Sequence, residues 1–293
     1  MDSVVFRYRL RDLRAQDIHF LQTVITQLQG KGRSEISRAI CEAWDWVQPN
    51  GKLKECAARD LLLRLEEKGF IELPARLRPK NNLKPNAFVQ APLGFSKTPL
   101  EGCLGQYGEA SLRLVSPTES YLWDYLVHHY HYLGRPRLVG EHLRYLGFLH
   151  GQVVACLGWA SAAFKVKARD RFIGWEASTR RTRLLFIANN SRFLILPWVR
   201  VAHLASTLLA LSLRRLSHDW QTSYGHPLYL AETFVDTSRF EGTCYQAANW
   251  VYVGQTQGSG KRGNRYYDHG QSKAMYLYPL HRNFRRKLLD DAG

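Results

Sequence analysis

From Glu232 to Gly263 the chain reads ETFVDTSRFEGTCYQAANWVYVGQTQGSGKRG, a segment that gathers two carboxylates, a tyrosine, an Asn-Trp pair and a glycine-rich basic loop. Glu232 and Asp236 flank TFV in an apolar stretch, so on a strand both point to one face. Two carboxylates on one face can hold a divalent ion, magnesium or manganese, which activates water and neutralises the charge that builds on a reacting phosphate. His131 or Asn189 would be further ligands. In a chain with 41 Lys and Arg the same pair also fits salt bridges to nearby arginines. Asn189, Asn190, Arg192 and Asn249 form a candidate polar pocket.

Phosphate recognition needs a different set of residues. KVKARDRFIGW and STRRTR interleave basic side chains with Phe172 and Trp175, and GQTQGSGKRGNRYY adds glycines, Lys261, Arg262, Arg265 and two tyrosines. Pliable backbone, cations and stackable rings suit a phosphate chain with unpaired bases. Arg171, Trp175, Arg180, Lys261, Arg262 and Arg265 are therefore candidate nucleic-acid contacts, although each stretch alone also fits a solvated loop. A net charge of +16 and a pI near 9.8 make a polyanion the leading partner, and DNA, single-stranded or forked, the leading polyanion. No basic amphipathic anchor is evident and no apolar run approaches the roughly 18 to 20 residues of a spanning helix, so no membrane partner is expected. The charged opening MDSVVFRYRLRDLRAQD lacks an apolar signal core, and the five cysteines are scattered without a CxxC pair. A cytoplasmic protein with reduced thiols is the expectation.

These residues need elements to position them. Ile18, Leu21, Ile25 and Leu28 recur at helical spacing; SEISRAICEAWDW starts at Ser34 as N-cap; KLKECAARDLLLRLEEKG ends at Gly69 and leads into a short apolar strand, FIELP. That order, helix, turn, helix, strand, predicts a winged helix-turn-helix over 1–84. Its last helix would offer Lys52, Lys54, Arg59 and Arg64 to a major groove, and a wing at ARLRPKNNLKPN would bring Arg76, Arg78, Lys80 and Lys84 to phosphates. The same elements also serve as protein-docking modules. Residues 85–117, rich in Pro, Gly and Ser, read as a linker with at most one strand. Over 118–293 the pattern gives a helix ending at Gly134, two strands about a turn at His150-Gly151, one or two strand segments in TRLLFIANNSRFLIL, and a long helix in VAHLASTLLALSLRRL. The strand LYLAETFVD, a short helix from about Gly242 to Ala248 and a closing strand WVYVGQT complete it. The fold class is α+β, a winged helix followed by a mixed α/β domain.

The element order of this second half resembles the GNAT acyltransferase fold, and YQAANW lies where many acetyltransferases carry a tyrosine. The resemblance implies that Tyr245 is a proton donor to the departing thiolate of coenzyme A, with a carboxylate such as Glu232 as base. That family cradles the pyrophosphate on a (Gln/Arg)-x-x-Gly-x-(Gly/Ala) loop, whereas the equivalent RVAHLA puts His203 at the key glycine position, so coenzyme A is less expected than a metal ion. The His-x-His pair at His129 and His131 resembles the metal-binding histidines of single-strand DNA nickases, which implies Tyr245 as nucleophile. Longer strings, HYLG, CLGWASAAFKVKARDRFIGW, NNSRFLILPWVRV and LAETFVDTSRFEGTCYQAANW, resemble the bacterial family that includes the Druantia anti-phage defence protein A, whose relatives occur beside transposases. What this implies is a setting of phage defence or mobile elements. The expected function is a DNA-binding protein of such a system, with metal-assisted phosphodiester chemistry as its candidate reaction. Two alternatives stand beside it: an acyl-CoA-dependent N-acyltransferase, and a non-catalytic adaptor that recruits a helicase or nuclease.

Overall fold

The computed structural model describes residues 4–8, 11–48, 51–75, 77, 95–136, 138, 140–256, 258–262, 265–268, 270 and 272–290, with side chains described outside 259–262 and 265–268. The chain divides into two compact units, Met1–Ala87 with Ser223–Gly225 and Phe88–Thr222 with His226–Gly293.

The first unit opens with an antiparallel hairpin of β1 (Phe6–Tyr8) and β2 (Arg11–Leu13), followed by α1 (Ala15–Gln27), α2 (Gly32–Ala43) and α3 (Glu55–Glu67). α1 buries Ile18, Leu21 and Ile25 of the expected stripe together with Val24, while Leu28 follows the helix half-buried, and these pack with Ile36, Ile40, Leu61, Leu62 and Leu65 into one core. α2 begins two residues before Ser34, so that serine lies in the first turn and caps nothing. FIELP forms no strand. Its backbone is satisfied by side chains instead of a ladder: Gln22 donates to the Phe70 carbonyl, the Glu66 carboxylate accepts from the Leu73 N–H, and Arg33 donates to the Pro74 carbonyl. The expected wing residues Arg76, Arg78, Lys80 and Lys84 lie outside the described residues.

The second unit is built on a seven-stranded sheet in the order β10-β13-β9-β7-β6-β5-β4. Its strands are β4 (Ser111–Leu114), β5 (His142–Leu149), β6 (Gln152–Ser161), β7 (Ile187–Ile195), β9 (Leu230–Val235), β10 (Val251–Gln255) and β13 (Ala274–Pro279). All neighbours are antiparallel except β7 and β9, which the 21-residue α7 (Leu204–Tyr224) connects in parallel. Two small ribbons stand beside it: β3 (Leu100–Cys103) with β8 (Val199–Ala202), parallel, and the hairpin β11 (Ser259–Arg262) with β12 (Arg265–Asp268). The remaining helices are α4 (Ser120–Tyr130), α5 (Lys167–Ile173), α6 (Ala177–Arg183), α8 (Thr243–Ala247) and α9 (Phe284–Leu289). The order read from the sequence, helix, meander, central strand, long helix, strand, short helix, strand, is present as α4, β5–β6, β7, α7, β9, α8 and β10.

Three features depart from that reading. KVKARDRFIGW and STRRTR contain α5 and α6 where loops were expected, part of the expected linker supplies β3 and the edge strand β4, and β13 inserts between β9 and β10. No helix among the described residues is long and apolar enough to cross a membrane, and all five cysteines are free.

Candidate functional site

β7 and β9 pair from Ile187↔Leu230 to Asn190↔Thr233 and then part. On its other edge β7 carries a bulge at the same level, because Trp159 pairs with Asn190 and Gly158 with Arg192, leaving Ser191 without a counterpart. The Asn190 amide and the Ser191 hydroxyl both donate to the Gly158 carbonyl, at 3.3 and 3.1 Å. Here the Tyr245 hydroxyl of α8 donates to Asn190 Oδ1 at 2.8 Å. The ring of Tyr245 is held among Phe193, Trp250 and Tyr276. Gly242 makes that placement possible, since its φ is +76° and an added Cβ would stand 2.8 Å from the Tyr276 hydroxyl. Burial raises the Tyr245 hydroxyl above the ordinary phenol range, so it is a neutral donor.

On the other face of β7, beside Trp123 of α4, lies Arg192. Its Nε donates to the Gly134 carbonyl at 2.8 Å and Nη1 to the Ser191 carbonyl at 2.6 Å, which ties the turn after α4 to the bulge. His131 caps α4, and its Nδ1 accepts the Leu133 N–H at 3.1 Å. Burial, then the Arg192 charge, pushes its pKa down to about 4, so the ring is neutral at neutral pH. Tyr132 stacks on His131 with centroids 4.9 Å apart, meets Phe240 at 5.3 Å, and has the Arg239 guanidinium 5.1 Å above its ring.

The carboxylates behave otherwise than their spacing suggested. Four strand steps of about 3.3 Å place Glu232 and Asp236 about 13 Å apart along the chain, so a shared face is not a shared ion site. Glu232 is 0% exposed: Oε2 accepts from Arg169 Nη1 at 2.9 Å and Oε1 from the Ala163 N–H at 2.8 Å. Burial pushes its carboxyl up, and Arg169 with the Ala163 N–H opposes that rise. Asp236 accepts from the Ser238 N–H and hydroxyl, which lower its pKa in that order of hydroxyl then amide. Neighbouring strand residues face opposite ways, so Glu232 looks away from Thr233 and from Tyr245. Among the described residues no group of three or more His, Cys, Asp or Glu is placed to hold a metal ion, and the expected magnesium or manganese site at Glu232 and Asp236 is corrected on these grounds. His129 is exposed on the last turn of α4 against Tyr125, at 4.4 Å. Asn189 pairs with Glu232 in register, its Oδ1 buried with no partner among the described residues; Asn249 is exposed after α8. Of the expected site, then, Tyr245 and Asn190 meet directly, Arg192 and His131 lie across the strand, and Glu232, Asn189 and Asn249 stand apart.

The expected nucleic-acid contacts also divide. Arg171 is exposed on α5, but Trp175 is buried with Nε1 donating to Asp170 at 3.0 Å, and Arg180 is buried with Nη1 on the same carboxylate at 3.0 Å. Arg169, fully buried, joins Asp170 to Glu232. These are structural side chains, not phosphate contacts. Lys261, Arg262 and Arg265 lie on the β11–β12 hairpin. In the first unit, Lys52 is exposed and Lys54 half-buried before α3, while Arg59 is half-buried and Arg64 is 3.0 Å from Asp60 and over the Tyr8 ring. Sequence reading missed the basic face of α9. In HRNFRRKLL, Phe284 and Leu288 are buried at i and i+4, which leaves Arg282, Arg285, Arg286 and Lys287 exposed; that spacing was there to be read. α9 packs beside α6, and Arg183 donates to the Asp290 carbonyl.

The segment RVAHLA, which the resemblance equates with a pyrophosphate loop, runs from strand β8 into the start of α7. Val199–Ala202 pair with β3, Arg200, 78% exposed on its side chain, lies 4.0 Å from Glu101, and His203 has φ +66°.

Comparison with solved structures finds similarity to an acetyltransferase of the GNAT family from Streptococcus pneumoniae, at 15% identity over 59% of this chain and 100% of that one, with a TM-score of 0.38. An N-acetyltransferase from Staphylococcus aureus is similar at 8% identity over 59% and 99%, TM-score 0.36. An aminoglycoside acetyltransferase in complex with coenzyme A is similar at 14% identity over 61% and 98%, TM-score 0.38. A search of curated proteins finds no match. The family model described as Druantia protein DruA matches residues 64–265, well over half of the chain, and the chain belongs to that family.

Proposed function

We propose that the chain is a nucleic-acid-binding protein of a phage-defence or mobile-element system, which grips the phosphate chain of DNA through the outer face of α5, α6 and α9. The observation that carries this reading is the unbalanced charge of that face. Lys165, Lys167, Arg171, Arg181, Arg282, Arg285, Arg286 and Lys287 are exposed, while the nearby Asp170 is taken up by Arg169 and Arg180 in the interior. Arg285 lies 4.5 Å over Phe172 and 4.8 Å over Phe284, two rings stacked at 5.9 Å, so cations and aromatic surface are interleaved. Such a surface neutralises phosphates and releases their counterions. Charge reversal at Arg285 and Arg286 should weaken binding of single-stranded and forked DNA in gel shifts and make its dependence on salt shallower. Wild-type affinity in the double variant would sink this face as the contact.

Acyl transfer has one observation in its favour, the buried tyrosine at the parting of β7 and β9. The residues around it do not fit coenzyme A. Arg200–Ala202, the first half of RVAHLA, pair with β3, His203 stands at the key glycine position, Glu101 adds a negative charge beside Arg200, and the Tyr245 hydroxyl is directed into Asn190. Millimolar acetyl-coenzyme A is expected to leave the melting temperature unchanged; a clear rise would restore the acyltransferase reading, because a ligand of the folded state stabilises it by mass action.

A further inference from the structure

Tyr132 and Phe240 are large rings that the fold leaves 37% and 50% exposed, and they come from separate segments, the turn after α4 and the loop after β9. Their centroids are 5.3 Å apart and their planes inclined at 57°, so Tyr132 braces Phe240 in a tilted pair and leaves the outer side of Phe240 exposed. The turn that carries Tyr132 is held in place: His131 stacks beneath the ring at an interplanar angle of 26°, and Arg192 bonds the Gly134 carbonyl. Around the rings stand Arg239, above Tyr132, and Arg192, both acting on the Tyr132 hydroxyl together with Asp236. Leu133, 48% exposed, adds apolar surface on the same turn.

Two inclined rings with cations beside them are suited to a flat, π-bearing ligand that also carries negative charge. An unpaired nucleobase with its phosphate has that chemistry. A base inside a duplex presents only its edge, so it cannot reach such a site without leaving the stack. Resting on the nucleic-acid reading above, we infer that the exposed face of Phe240, braced by Tyr132, takes one unpaired base of a bound strand, with its phosphate met by Arg239. The α5, α6 and α9 face would supply affinity for any strand. The ring pair would supply the preference for a strand that is single or locally opened.

The test uses the full chain and DNA carrying 2-aminopurine, as a single strand and as the matching duplex, with wild type, Tyr132→Ala, Phe240→Ala and the double charge reversal Arg285→Glu with Arg286→Glu. Wild type should bind the single strand more tightly than the duplex and change the probe's fluorescence on binding. Each ring variant should bind the single strand at least about fivefold more weakly, at the low end of one lost stacking contact, and lose the fluorescence change while duplex affinity is kept. Both rings are exposed, so an unchanged thermal melt serves to show that the variants fold. The charge reversal should weaken both forms together. If the ring variants bind the single strand as wild type does, or if wild type shows no preference for it, the ring pair is not a base site even where DNA binding stands. If wild type binds neither form, the base-site inference and the nucleic-acid reading fall together.

Discussion

The two units treat their arginines in opposite ways. The first unit carries sixteen Lys and Arg against eleven Asp and Glu over Met1–Ala87, and several cations of its helices are matched at the surface: Arg38 with Glu35 and Glu55, Arg64 with Asp60, Arg33 with Glu66 at 3.5 Å. In the second, Arg169 and Arg180 are drawn inward to Asp170 and Glu232, while the cations on the outside of α5, α6 and α9 have few acids near them. The difference teaches that a basic composition does not say where the field is. α3 of the first unit, where a recognition helix would lie in a winged helix, carries two arginines against four carboxylates, whereas α5, α6 and α9 of the second carry cations in excess.

The largest expected effect lies in the inward-facing arginine. Glu232→Gln would leave the buried Arg169 without its full counter-charge, and breaking a buried pair costs roughly 3–5 kcal/mol. At about 2–4 °C per kcal/mol for a unit of this size, the melting temperature should fall by about 10 °C. An unchanged melt would free Glu232 for a role other than structure and reopen the carboxylate as a reacting group.

The outward-facing arginines should act on binding instead. Arg285→Glu with Arg286→Glu is expected to leave the melt unaltered and to reduce the slope of log affinity against log salt by about 2, one for each lost phosphate contact. A variant that loses affinity equally at every salt concentration would point to a distorted fold, not to a lost electrostatic contact.

Why the first unit's charges and the second unit's core were not equally legible has a physical reason. Hydrophobic period reveals a face, and α1, α7 and β9 were found by it. α5 and α6 have only seven residues each and no long stripe; they hold through Arg169, Asp170, Arg180 and Glu232, which lie up to 63 residues apart and meet only in three dimensions. No local rule separates the buried Arg180 from the exposed Arg181. Period 2 likewise put Glu232 and Asp236 on one face of a strand, but β9 ends at Val235, and the period carries no information on which partner each carboxylate finds. Tyr245 was legible because YQAANW resembles the place where many acetyltransferases carry a tyrosine, and Asn190 was named for its polarity. The Tyr132–Phe240 pair was not, since its rings are joined by a turn and a loop that approach only once β7 and β9 part.

A smaller, pH-dependent effect follows from His131. Its folded pKa, about 4, lies below the ordinary value near 6.5, so between those values the unfolded chain binds a proton that the folded chain does not. Its contribution to stability is therefore complete above about 6.5 and is lost as the pH falls toward 4. Melts taken across that window should decline less steeply in His131→Gln than in wild type. Parallel profiles would mean that the cap is not sensed by burial and Arg192 as described, and would loosen the support of the Tyr132–Phe240 pair.

The smallest effect is expected in the first unit, and it bears most directly on the contrast between the two. Arg38 is exposed, and ion pairs of that kind with Glu35 and Glu55 contribute little in water. Lys54 precedes α3, half-buried, at the place where a recognition helix would meet phosphates. Arg38→Ala should leave the melt within about 2 °C of wild type, because exposed pairs lie at the low end of mutational effects. Lys54→Glu should leave affinity for single-stranded and duplex DNA within about twofold and the salt slope unchanged, since a residue that touches no phosphate releases no counterion. A Lys54→Glu protein that loses as much salt dependence per charge as the α9 variant would overturn the contrast. The first unit would then hold DNA although its α3 carries more acids than bases, and its reading as a groove-binding module would regain first place.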